Sequence, residues 1–67
     1  MPHYNVVIET RETSSGLFRA DIVEGPPGTI GKYAGIGRTA RLAFDDARAM
    51  LARTYSRYSF DFIHAPL

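Results

Sequence analysis

The sequence predicts a small α+β domain: one antiparallel sheet of three or four strands with a single helix packed on one face. Three observations predict it. Two segments near the start alternate apolar and polar residues with the period of a half-buried strand. One later segment spaces its apolar residues as a helix does. With 67 residues, the chain has room for one domain (1–67) around one thin core.

Tyr4-Asn5-Val6-Val7-Ile8-Glu9-Thr10 is β-branched and aromatic, with Tyr4, Val6 and Ile8 on one face. Thr13-Ser14-Ser15-Gly16 supplies turn chemistry, and Leu17 to Val23 follows as a second strand with Phe18, Ala20 and Ile22 inward. So short a connection makes the pair an antiparallel hairpin. Glu24-Gly25-Pro26-Pro27-Gly28 cannot continue the ladder, because two prolines remove two donors and fix φ. Thr29 to Ile36 is a third strand, weakened by Gly31 and Gly35.

Arg38 to about Tyr55 reads as the helix, with Thr39 as N-cap. Ala40, Ala43, Phe44, Ala47, Met50, Leu51, Thr54 and Tyr55 form its apolar stripe, and Phe44 and Leu51 are expected to anchor it to the sheet. Leu42 and Ala49 fall on the opposite side. Tyr58 to His64 alternates again as a final strand, with Tyr58, Phe60 and Phe62 inward and Pro66 ending it. The order is β-β-(β)-α-β. The sheet face away from the helix would carry Asn5, Val7, Glu9, Leu17, Arg19, Asp21, Val23 and Ile63, which is too apolar to stand in water alone.

Composition narrows the function classes. The chain is 45% hydrophobic and 12% aromatic, which suits a folded domain rather than a disordered one. It has no Cys, so disulfides and thiolate zinc are excluded, and two separated His residues offer a metal little. No metal or cofactor is expected. A core this thin then looks for self-association or a partner chain. No run reaches membrane-spanning length and the start MPHYNVVIE lacks the marks of a signal peptide, so a cytoplasmic protein is expected. The net charge of +1 is unevenly spread: residues 38–57 hold Arg38, Arg41, Arg48, Arg53 and Arg57 against Asp45 and Asp46, a net of +3. Such a segment can steer an acidic partner.

Catalytic motifs are few. Gly25 to Tyr33 imitates a phosphate-binding loop, but five residues separate Gly25 from Gly31-Lys32 and Tyr33 stands where the magnesium-binding hydroxyl belongs. Gly35-Ile36-Gly37-Arg38-Thr39-Ala40 matches a dinucleotide fingerprint, yet too little chain follows for the parallel sheet it requires. The amides of Gly37, Arg38 and Thr39 beside Arg38 and Arg41 would at most hold an anion. Ser14 and Ser15 have no His near them in sequence, and His3 and His64 meet only if the terminal strands pair. No enzyme is expected. Arg53-Thr54-Tyr55-Ser56-Arg57-Tyr58 interleaves cations with rings, a composition that can stack bases and neutralise phosphates.

Tyr4, Val6 and Glu9, then Gly16, Phe18 and Ala20, then Pro27 and Gly28, then Gly37, Thr39, Asp45, Asp46 and Ala47 form a series that resembles the HicB-like antitoxin domain. The resemblance spans Tyr4 to Leu51. It implies a three- or four-stranded sheet carrying one helix, and an inhibitor that caps a small RNA-cleaving toxin of the HicA type. An antitoxin facing a basic toxin is expected to be acidic, whereas this chain is slightly basic. A phage-encoded inhibitor of a host defence nuclease suits the same size and charge.

The expected function is therefore a non-enzymatic protein-binding module that inhibits a larger partner. Its surface would be the exposed sheet face or the helix face of Arg38, Arg41, Leu42, Asp45 and Arg48. The alternative is a small RNA- or DNA-binding domain using Arg48, Arg53, Tyr55 and Arg57.

Overall fold

The computed structural model describes residues 2–67. Its elements follow the order β1 (His3–Glu12), β2 (Phe18–Glu24), β3 (Tyr33–Gly37), α1 (Ala40–Thr54) and β4 (Ser59–Pro66). Together they form one four-stranded sheet in the order β3-β2-β1-β4, with α1 packed on one face. The α+β architecture is as the periodicities predict. The strand directions differ in one respect: β1/β2 and β2/β3 are antiparallel, whereas β4 pairs with β1 in parallel. The sheet is mixed rather than antiparallel throughout. A helix between β3 and β4 is the cause. Fifteen residues of α1 span roughly 22 Å, enough to return the chain to the end of the sheet where β1 begins.

The third strand is also shorter than expected. Thr29 to Lys32 are spent on turns: the Thr29 amide donates to Pro26 O at 3.1 Å, and the Lys32 amide to Thr29 O at 3.1 Å. Gly28 and Gly31 sit at φ +87° and +82°, a region that residues with a side chain rarely adopt. The buried Thr29 hydroxyl donates to Pro26 O at 2.6 Å and ties this corner shut.

The core is built from the inward positions of three strands and one helical stripe. Val6 and Ile8 (β1), Ala20 and Ile22 (β2) and Ala34 (β3) meet Ala43, Phe44, Ala47 and Leu51 of α1. Phe44 is 5% exposed and Leu51 fully buried, so both anchors hold as expected. Thr39 caps the helix, its hydroxyl accepting from the Leu42 amide at 3.1 Å.

The helix is not centred on the sheet. Its backbone lies mainly against β3 and β2, and it reaches β4 through the side chains of Phe44 and Arg48. Gly35 and Gly37 permit this: a Cβ on Gly35 would lie 2.7 Å from the Ala47 nitrogen, and one on Gly37 would lie 2.7 Å from the Ala43 nitrogen. These two glycines, which in sequence imitate a dinucleotide fingerprint, serve close packing of α1 on β3. Among the described residues, no helix is long and apolar enough to cross a membrane.

Candidate protein-interaction surfaces

Four surfaces carry the chemistry available to this chain. On the outer side of α1, Asp45 lies between two arginines, 3.2 Å from Arg41 Nε and 3.1 Å from Arg48 Nη2. Both guanidinium groups also lie over the Phe44 ring, at 5.6 and 5.3 Å from its centroid. Arg41 and Arg48 are thus held by one carboxylate and one ring. Leu42, 52% exposed, stands in the turn beside them. Arg38, Arg53 and Arg57 make no ion pair among the described residues. Arg41, Leu42, Asp45 and Arg48 share one side of the helix, whereas Arg38, expected on the same face, lies before the N-cap Thr39 and outside the helix, and Arg48 leans inward. Its Nε is buried without a hydrogen-bond partner, and its guanidinium lies 6.0 Å from the Phe62 centroid.

The residues suited to nucleic acid are less well gathered. Tyr55 and Arg57 line a shallow open hollow of about 270 Å³ with Thr54, Ser56 and Tyr58. Arg48 is not part of that hollow. The Tyr55 ring is stacked on Tyr58 at 5.4 Å, and Tyr58 in turn lies 5.3 Å from Tyr4. The contacts continue from Tyr58 to Phe60 and from Phe60 to Phe62, so half-buried rings run the length of β4 on the helix side. This stripe is what the off-centre helix leaves partly uncovered.

The opposite face of the sheet is mixed. Val23, Ile36, Tyr33 and Ile63 are exposed there, and ion pairs Arg11–Glu9 and Arg19–Asp21 run between them at 2.9 and 2.7 Å. The hydrogen bonds to Asp21, and then its charge, raise the Arg19 guanidinium pKa above its ordinary value. Among the described residues, no element covers this face.

The two histidines sit in paired terminal strands yet do not meet. His64 faces the helix, with its Nε2 2.7 Å from the Thr10 hydroxyl and its ring stacked on Phe44 at 4.7 Å. His3 faces the other way. Its Nδ1 is 2.6 Å from Ser59 Oγ and its Nε2 is 3.0 Å from Asp61 Oδ2. Parallel pairing of β1 with β4 brings this hydroxyl and carboxylate to His3, because His3 is in register with Ser59. A hydroxyl, an imidazole and a carboxylate in hydrogen-bond reach are the parts of an acyl-transfer site. The rest of such a site is missing here. The Ser59 amide is engaged by Pro2 O at 3.0 Å, and the Asp61 side chain is 74% exposed on a flat face that excludes no water.

At the start of α1 the Leu42 and Ala43 amides are satisfied by Thr39. No group of three or more His, Asp or Glu side chains stands close enough to bind a metal among the described residues.

The fourth surface is the free edge of β4. The Ser59 amide donates to Pro2 O and the Leu67 amide to Thr10 O, so the odd-numbered residues of β4 turn their backbone groups toward β1. Backbone direction alternates along a strand, which leaves the amides and carbonyls of Phe60, Phe62 and His64 pointing outward. Pro66, on the same parity, has no amide to leave unpaired.

No family model, curated protein or solved structure matches the chain. The fold and these surfaces therefore carry the functional reading by themselves.

Proposed function

We propose that this chain is a non-enzymatic protein-binding module that inhibits a larger partner by docking the outer face of α1 onto an acidic surface. Inhibition of a larger partner is the role that the resemblance to HicB-like antitoxins implies; the acidic docking surface departs from the basic toxin of that family and suits a host defence nuclease complex with an acidic patch. The observation that carries it is the ridge formed by Arg38, Arg41 and Leu42. Asp45 and Phe44 restrain Arg41, so less side-chain entropy is lost on docking. Arg38 supplies an unpaired charge, and Leu42 an apolar contact that is already exposed. Cationic ridges of this kind raise association rates with acidic partners. Nucleic acid is less well served, because Tyr55 and Tyr58 are occupied with each other and with Tyr4.

A photo-crosslinking residue at position 42, compared with one at Asn5 on the other side of the sheet, tests this reading. We expect adducts with a specific acidic protein from position 42 only, lost when Arg38 and Arg41 are changed to Glu. Titration with labelled RNA and duplex DNA across a salt series is the counter-test. Micromolar or tighter, salt-steep binding that disappears in Arg53→Glu/Arg57→Glu would replace the protein-binding reading with the nucleic-acid one.

A further inference from the structure

The two edges of the sheet are treated differently by the chain. At β3 the Asp46 carboxylate of α1 accepts from the Ile36 amide at 3.0 Å, and the helix backbone lies directly over Gly35. At β4 the guard is confined to the end of the strand, where Pro66 faces outward. From Phe60 to His64 the edge has no lysine, proline or bulge, and Asp61 is the only charge. Unpaired outward-facing amides and carbonyls in this state are a template for another strand.

We infer that β4 pairs antiparallel with β4 of a second copy of this chain, with Ile63 on the two-fold axis. Any register centred on a residue keeps the outward-facing residues in hydrogen-bonded pairs, and side chains choose among the three centred in the middle of β4. Centring on Asp61 sets two carboxylates against each other, which destabilises the pair. Centring on Phe62 presses Asp61, whose side chain is 74% exposed, against Ile63 of the second copy and strips its water. Centring on Ile63 joins two apolar side chains, each 51% exposed in the single chain, and sets Asp61 opposite the small Ala65. In that register Phe62 and His64 exchange both backbone hydrogen bonds across the axis.

The rest of the molecule permits this approach. Because α1 sits over β3 and β2, no helix obstructs the inner face beside β4. Pairing runs the sheet on through eight strands, with both helices on one side. Phe62 of each copy then lies opposite His64 and diagonal to Phe62 of the other, covering rings that a single helix leaves open, while Phe60 falls opposite Pro66 at the end of the pairing. A thin core of 67 residues gains the most from such an extension.

The test is the mass and register of the assembly. Sedimentation over a concentration series should give twice 7.4 kDa for the native chain. Ile63→Asp, at an exposed position outside the core, should give a monomer with an unchanged circular dichroism spectrum. The chain has no cysteine, so Ile63→Cys and Ala65→Cys report register directly. Directly opposed Cβ atoms in a pair of this type lie within disulfide reach. Mild oxidation should convert Ile63→Cys, and not Ala65→Cys, to a covalent dimer. Amide exchange at Phe60, Phe62 and His64 should slow as concentration rises. A monomer at millimolar concentration overturns the proposal, as does a dimer that survives Ile63→Asp or crosslinking at position 65 in place of 63. Protection of the three amides only on addition of a different protein overturns it equally.

Discussion

The Ile36 backbone amide donates to the Asp46 carboxylate across 3.0 Å, and this bond ties the helix to the outermost strand of the sheet. It joins residues ten apart in sequence that the turn at Thr39 folds back on each other. Removing the carboxylate leaves an amide with water as its only partner. Asp46→Ala should therefore cost about 1 kcal/mol, the usual net worth of a hydrogen bond to a charged group in an exposed place. For a domain of this size the midpoint of thermal unfolding should fall by roughly 4–8 °C, which calorimetry will measure.

Gly35 should be less tolerant than any exposed position. An added methyl would meet the Ala47 nitrogen at 2.7 Å and the Ala43 carbonyl oxygen at 2.8 Å, both backbone atoms that cannot swing aside. Gly35→Ala should destabilise by about 1–3 kcal/mol, with the helix forced away from β3. Urea unfolding measures the loss, and a Gly35→Ala chain as stable as the native one would show that the helix does not sit where it is described.

The helix cap and the helix anchor should differ in scale. Thr39→Ala removes the acceptor for the Leu42 amide and should cost about 1 kcal/mol. Leu51→Ala empties a fully buried site and should cost about 2–5 kcal/mol. A domain of 67 residues has a total stability of roughly 3–10 kcal/mol, so the second change should leave much of the population unfolded at 37 °C. Denaturant titration of the two variants side by side gives the comparison.

The Ser59, His3 and Asp61 cluster should be inert toward esters. It lies on an open face without amide donors aimed at a developing oxyanion. Hydrolysis of p-nitrophenyl acetate by the native chain and by Ser59→Ala should proceed at one and the same slow rate. A native rate well above that of Ser59→Ala would make the cluster a nucleophilic site. Stability should change by no more than about 0.5 kcal/mol in Ser59→Ala, because the partners are exposed.

Much of the fold was legible because periodicity encodes which way a side chain faces. Tyr4, Val6 and Ile8, and Phe18, Ala20 and Ile22, alternate onto the inner face as their spacing predicts, and Thr39 caps the helix. Asp45 pairs with Arg41 and Arg48 because residues three and four apart are neighbours on any helix. The helix-face positions were legible for the same reason.

What periodicity does not encode is the neighbour and direction of a strand. A run such as Ser59 to Pro66 reads identically whether it lies parallel or antiparallel to β1, and at the edge or in the middle of the sheet. Tertiary structure decided these by the length of α1, which carries the chain back to the end where β1 starts. From that single outcome follow the cluster of Ser59 and Asp61 on His3, the separation of the two histidines, and the open edge at Phe60, Phe62 and His64. The amino-acid sequence by itself determined the faces, because side-chain direction is a local property of the backbone. Only the folded chain decided which faces and edges meet, because pairing joins residues more than fifty positions apart.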